Sequence, residues 1–358
     1  MANGLDDVVA AETVLSHVDG EAGRLIVRGY DLEALAGHVT YEQALALLWS
    51  GIVEDGIVEH AGGDLAGARV EAFGRFVPLL QAAPKLTPIE TMRFLLSAVS
   101  DADELARPVA MVGAIAVAAA LAIRHADHKA AIAPDPSLPH AADVLRMVRG
   151  RAGDDAEVGA LDTYLVAVID HGLNASTFAA RVVASTAAGL PSSIVAALSA
   201  LKGPLHGGAP GPVLDMLDAI GSEERAEAWL EAALDRGERL MGFGHRVYRV
   251  RDPRADVLKG ALGLLKGRDN RIALAEAVEQ KALAILARRK AKRRLDVNVE
   301  FYTALLLEAL GIPRAGFTLL FAAGRAGGWI AHVREQEKTG RILRPQSRYI
   351  GPMPMAAA

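Results

Sequence analysis

The sequence contains no cysteine. Disulfide staples, thiolate nucleophiles and cysteine-ligated metals are therefore excluded, and a reducing cytoplasm is the expected compartment. Aromatic residues are scarce, at 5%, while Ala and Leu abound, a balance that favours helices over a β-sandwich or barrel. No apolar run is long enough for a membrane span. The longest, Val109 to Ile123, has 15 residues against the about 20 a span requires, and it reads as a buried core helix. The first residues carry acid and no basic stretch, so no signal peptide is expected. Charge of one sign is also lacking: a formal net charge of −4 over 358 residues gives no reason to expect a nucleic-acid partner.

What is present is mostly helical periodicity. One strand candidate stands out, "VLSHVDGEAGRLIVRGYD", in which Asp19, Gly20 and Gly23 separate two short apolar runs and Gly29 closes the second. Beyond it, Ile194, Ala197, Leu198 and Leu201 lie at helical spacing between Pro191 and Gly203. Ala226, Trp229, Leu230, Ala233 and Leu234 repeat the stripe behind Ser222 as N-cap. Tyr302, Leu305, Leu306, Ala309 and Leu310 repeat it again, stopped by Gly311 and Pro313. No period of 20 to 50 residues recurs, which excludes a solenoid. "IRHADHKAAIAPDPSLPH" interrupts the apolar pattern as a surface loop. The basic block "ARRKAKRRL", Ala287 to Leu295, is either the solvated end of a helix or a site for a polyanionic ligand.

Three of the ten histidines sit beside glycine where a helical pattern breaks: His171 before Gly172, His206 before Gly207, and His245 after Gly244. Glycine allows positive φ and close approach of a ligand to the backbone. Each histidine alone reads as structural; three together tilt towards function. The other seven, His17, His38, His60, His125, His128, His140 and His332, stand in loop-like or polar contexts. Rival chemistries find no support in spacing. There is no H-E-x-x-H for zinc, no G-x-S-x-G for a serine nucleophile, and "GFGHRV" supplies only two glycines of a dinucleotide fingerprint. Arg254, Arg325 and Arg344 each lie beside Gly or Pro. They are either surface arginines or, with their planar forks, a pocket for a small di- or tricarboxylate. Glu300 falls in the first turn of a helix capped by Asn298. That position favours an ionised carboxylate, as an ordinary first-turn acid or as a general base.

Taken together, "DGEAGRLIVRGYDLEALA", "DHGLNASTFAARV", "LKGPLHGGA", "GFGHRVYRVRDPRA", "NVEFYTALLLEALGIPR" and "RPQSRYIGP" resemble, in order and separation, segments of the citrate synthase family, over roughly Val14 to Pro352. The bacterial short form, including members that accept propionyl-CoA, fits best. The resemblance implies a mainly α fold with a small N-terminal β-hairpin and two helical domains. Residues 1–206 with 313–358 would form the large domain and 207–312 the small one, with the active site between them. It implies a homodimer acting on oxaloacetate and acetyl-CoA, with no metal or other cofactor and no membrane or nucleic-acid partner. It also implies roles. His206 would stabilise the enolised thioester, Glu300 would take the methyl proton, and His245 would polarise the oxaloacetate ketone. His171, Arg254 and Arg325 would grip its carboxylates, joined by Arg344 from the other subunit. Arg249 and Arg246 would meet CoA phosphates, with the block Lys290 to Arg294 adding attraction for CoA.

Three positions depart from the family pattern: Glu300 where aspartate is usual, Pro210 where "HGGAN" is common, and Val168 where a histidine often precedes the "DHG" segment. The leading expectation is a Claisen-condensing citrate synthase. The alternatives are a 2-methylcitrate synthase using propionyl-CoA and, from another class, a helical dimer that binds CoA or dicarboxylate with little catalysis.

Overall fold

The computed structural model describes residues 8–53, 61–83, 85–206, 210–245, 247–265, 271–289 and 295–353. Among these, fourteen α-helices accompany one small sheet. The expected hairpin is there. Strands β1 (Ser16–Asp19), β2 (Arg24–Val27) and β3 (Tyr30–Asp31) form an antiparallel sheet in that order, with Ser16 opposite Val27 and Asp19 opposite Arg24. Asp19 shapes the turn, its Oδ1 accepting from the N–H groups of Glu21 and Ala22.

The helices follow as α1 (Tyr41–Trp49), α2 (Ala61–Gln81), α3 (Pro88–Ser97), α4 (Pro108–Ala126), α5 (His140–Arg149), α6 (Asp155–Ala167), α7 (Ala175–Ala184), α8 (Leu190–Leu201), α9 (Pro210–Ile220), α10 (Glu223–Asp235), α11 (Pro253–Leu264), α12 (Arg271–Arg289), α13 (Val299–Ala309) and α14 (Phe317–Thr339). α4 is the core helix that its Ala-rich run predicts. It is buried along nearly its whole length and packs against α2, α3, α5 and α14. Among the described residues it is the one helix long and apolar enough to cross a membrane, and it is enclosed by the others. Its small residues let neighbours come close: a Cβ on Gly113 would lie 2.7 Å from that of Ala68 on α2.

Caps follow the expected chemistry at α8, with Pro191 in its first turn, and at α13, where Asn298 Oδ1 accepts from the N–H of Glu300 at 3.0 Å. Ser222 stands at the N-cap of α10, but its side chain makes no bond to the helix backbone. The stretch read as a surface loop is shorter than expected, because α4 runs on to Ala126 and α5 begins at His140. Its start is also pinned inside: buried Arg124 donates to the carbonyls of Ala130 and Val148. The block Lys290 to Arg294 lies outside the described residues.

α14 runs through the middle of the molecule, against α1, α4, α6, α7 and α8. Its "AAGRAGGW" stretch is buried, and its glycines are contact points. A Cβ on Gly328 would fall 2.2 Å from the carbonyl oxygen of Ile169, and one on Gly324 would fall 2.5 Å from Val168 Cγ2. α14 thus presses directly on the segment 168–170 that leads into His171. α11 and α13 pack together and both touch α6, while α9, α10 and α12 pack among themselves.

Candidate active site

The six residues His171, His206, His245, Arg254, Glu300 and Arg325 come from five helix termini or breaks and one helix interior, and the fold brings them together. Arg254 is the hub: its charge acts on His171, His245, Glu300 and Arg325. Arg325 in turn acts on His171 and His206. The rings of His171 and His245 lie 5.7 Å apart and nearly perpendicular. Tyr248 touches both, its hydroxyl 3.1 Å from His171 Nε2 and its ring 4.8 Å from that of His245.

The segment carrying His245 is held from several sides. His245 Nδ1 accepts from the backbone N–H groups of Val247 and Tyr248 at 3.0 and 3.1 Å. The neutral ring therefore carries its proton on Nε2. Gly244 N–H donates to Asp296 O, and Asn298 Nδ2 donates to Gly244 O, so this segment is stitched to the start of α13. The tip of the β1–β2 hairpin closes the outer side. Gly20 O accepts from Arg249 N–H at 2.8 Å, and a Cβ on Gly20 would collide with Val247 O at 2.4 Å.

His206 is set by the N-terminus of α7. The Ser176 N–H donates to its Nε2 at 3.3 Å, and Ser176 Oγ, which accepts from Trp329 Nε1, lies 2.9 Å from the same nitrogen. With Nε2 accepting, the proton of the neutral ring sits on Nδ1. Burial lowers the pKa of all three histidines, helped by the nearby guanidinium groups: His206 and His245 to about 4, His171 well below the ordinary value. All three are neutral at pH 7 and able to donate one N–H in a defined direction.

The arginines differ in their bonding. Arg254, at the first turn of α11, is gripped in bidentate fashion by Asp252, with Nε at 3.0 Å and Nη2 at 2.7 Å. Asp252 also accepts from the N–H of Val299, tying α11 to α13. Arg325 is 1% exposed, donates through Nε to Val168 O at 2.5 Å and lies against the Phe321 ring. Among the described residues no carboxylate is within ion-pair distance of it. Burial pulls its pKa down to about 10. The Asp170 carboxylate offsets its charge from beyond ion-pair distance, and a ligand carboxylate would supply the close counter-charge that a buried cation favours.

Glu300 corrects one expectation. The helix N-terminus favours its ionised form, but burial, with the neighbouring Asp252, outweighs the Arg254 charge and raises its pKa to about 7. The result is a carboxyl poised near neutrality rather than a permanently ionised one.

Other expectations divide. Arg249 is exposed on the surface, anchored by its backbone to the hairpin. Arg344 is exposed in the segment after α14. Arg246 lies outside the described residues. Pro210 forms the first residue of α9, where a missing N–H costs nothing, and Val168 is a buried residue packed against Gly324. Two histidines read as polar or loop-like are buried. His140 opens α5, with its ring stacked 5.3 Å from that of Tyr41. His332, seven residues and two turns after Arg325 on α14, is fully buried; Arg181 Nε donates to its Nδ1, leaving Nε2 to meet Asp170 at 3.2 Å. Asp170 also accepts from Ser16 Oγ at 2.5 Å, and Ser16 Oγ accepts from Gly172 N–H at 2.9 Å. The loop around His171 is therefore clamped by a polar chain from α7, α14 and β1. Its members went unseen because they are far apart in sequence; the i, i+7 spacing of Arg325 and His332 on a buried helix was the one available signal.

The whole sequence repeats this pattern in known proteins. It matches the family model "Citrate synthase, C-terminal domain" over residues 4–346. The chain belongs to the citrate synthase family. A citrate synthase of Haloferax volcanii is 38% identical over 98% of this chain and 96% of its own length. A 2-methylcitrate synthase of Mycobacterium tuberculosis is 32% identical over 97% of this chain and 90% of its own. Among solved structures, a citrate synthase of Thermoplasma acidophilum, in a ternary complex with carboxymethyl coenzyme A and oxaloacetate, superposes with a TM-score of 0.86 at 26% identity, covering 100% of this chain and 98% of its own. The citrate synthase fold thus accounts for the helical architecture.

Proposed function

We propose that the protein condenses acetyl-CoA with oxaloacetate and hydrolyses the resulting citryl-CoA to citrate and CoA. The observation that carries this reading is the buried pair Arg254 and Arg325, the latter with no carboxylate within ion-pair distance among the described residues, facing three neutral histidines and a carboxyl of pKa about 7.

The chemistry follows from those groups. A methyl proton beside a thioester is weakly acidic, and a carboxylate is a weak base. Transfer to Glu300 becomes feasible when the developing oxyanion meets a fixed donor in a dry site. The Nδ1–H of His206 is that donor. The carbonyl of oxaloacetate is polarised by the Nε2–H of His245, while His171, Arg254 and Arg325 hold its carboxylates so that the enol attacks in line. Arg344 of the partner subunit completes the carboxylate pocket in a homodimer. Arg249 and Arg246 meet the CoA phosphates, with the basic block Lys290 to Arg294 adding attraction. Residues 207–312 act as a small domain that closes over the remainder, and water re-enters to hydrolyse the thioester. The reaction draws on no resident metal or cofactor, and the compartment is the cytoplasm.

A second reading, 2-methylcitrate synthesis from propionyl-CoA, is supported by the mycobacterial relative. The two differ by one methyl group in the acyl pocket, worth about 1–3 kcal/mol of discrimination. Free-thiol release from acetyl-CoA and propionyl-CoA, with and without oxaloacetate, tests both. Oxaloacetate-dependent release from acetyl-CoA is expected. Its absence from folded protein with both thioesters would leave only a ligand-binding dimer.

A further inference from the structure

Glu279 lies on α12, a helix that carries none of the six site residues and packs mainly against α9 and α10. It is 5% exposed. Its carboxylate gathers three partners from three other places. Arg251 Nη1 donates to Oε1 at 2.5 Å, Lys259 Nζ donates to Oε2 at 3.1 Å, and the Tyr302 hydroxyl donates to the same Oε2. Burial pushes this carboxyl up, but the bonds from Tyr302, Arg251 and Lys259 outweigh it and hold it below the usual range.

Each partner is coupled to a site residue. Arg251 sits between His245 and Arg254 and also pairs with Asp256 of α11. Lys259 is on α11, whose first turn presents Arg254, and its ammonium lies 5.4 Å over the Tyr302 ring. Tyr302 follows Glu300 by two residues on α13. A buried carboxylate is not needed for stability at such a junction, since apolar side chains of similar volume generally serve at least as well. What the carboxylate adds is direction: three charge-assisted bonds that fix three elements against one point.

We propose that Glu279 is a positioning residue for the reaction, setting the distance between the Glu300 carboxyl and the electrophile held by His245 and Arg254. This rests on the condensation described above. The test uses the full-length chain with Glu279→Gln and Tyr302→Phe, measuring kcat, KM for oxaloacetate, melting temperature and amide exchange over residues 247–256. Glu279→Gln is expected to lower kcat by about tenfold or more, as small misplacements of reacting groups do, with KM changed less than about threefold and exchange over 247–256 accelerated. Tyr302→Phe, which deletes one bond, moves both in the same direction by less, and carries the test if Glu279→Gln does not fold. A folded Glu279→Gln protein that melts earlier yet keeps wild-type kcat and exchange overturns the proposal. Wild-type protein that releases no thiol overturns the condensation instead, and accelerated exchange in Glu279→Gln then still reads the positioning of the segment.

Discussion

Glu300 shows how local and tertiary effects oppose each other at one side chain. The N-terminus of α13 and the Arg254 charge favour its ionised form, while burial disfavours it and outweighs Arg254, placing its pKa near 7 against an ordinary 4.5. A raised folded-state pKa means that the folded chain holds this proton more tightly than the unfolded one. The associated stability is full below about pH 4.5 and is lost as pH rises through about 7. Glu300→Gln is therefore expected to melt higher at pH 8, by up to about 3 kcal/mol, while turnover disappears and oxaloacetate still binds. For the wild-type chain, kcat/KM should fall below about pH 7 as Glu300 protonates; an acid limb centred near pH 4 would show that the base is another group. Arg325 carries the complementary expectation. Arg325→Leu removes the bond to Val168 O and a charge that stabilises the Asp170 carboxylate, so the free protein should lose about 1–3 kcal/mol of stability, while oxaloacetate binding should weaken by about a hundredfold or more, as for loss of a charge-assisted contact. Calorimetric titration with oxaloacetate separates the two variants, and the opposite pattern would exchange their roles.

At the scale of elements, α14 does more than present Arg325. Its Gly324 and Gly328 bring the helix backbone against Val168 and Ile169, and this contact delivers His171 to the site. Gly328→Ala places a methyl group where the Ile169 carbonyl already sits, and that backbone oxygen must shift. The expected cost is about 1–3 kcal/mol of stability, read by denaturant unfolding, with KM for oxaloacetate rising about tenfold as His171 is displaced. The hairpin acts from the other side. Ser16 at one end bonds Asp170 and Gly172, and Gly20 at the other end bonds Arg249, so one two-stranded element spans both histidine loops. The strand pattern and its Asp-Gly turn were legible in the sequence because they depend on neighbours. The clamp was not, because Ser16 and Asp170 are separated by 154 positions and nothing local marks them as partners.

At the scale of the whole molecule, the extended segment after α14 leaves Ile342, Tyr349, Ile350 and Met353 exposed alongside Arg344. An exposed arm with apolar side chains suits docking on a second copy. If Arg344 acts in the partner's site, Glu300→Gln and Arg344→Ala are each inactive as homodimers but complement when mixed. Co-expression of the two should restore about a quarter of wild-type activity, since half of randomly paired dimers are mixed and each has one intact site. No recovery in isolated mixed dimers would place Arg344 outside the partner's site.

By itself the sequence determined the helical class, the hairpin, the core helix α4 and the family, because these follow from periodicity, turn chemistry and ordered motifs that need no distant contact. It also marked His171, His206, His245, Arg254, Glu300 and Arg325 as unusual through their glycine, proline or cap neighbours. Only the tertiary structure decided the protonation states. Burial beside Arg254 and Arg325 makes the histidines neutral and lifts Glu300 towards neutrality, and backbone donors choose which nitrogen of His206 and His245 keeps its proton. Desolvation and hydrogen bonding depend on what lies across space, and a linear pattern does not carry that.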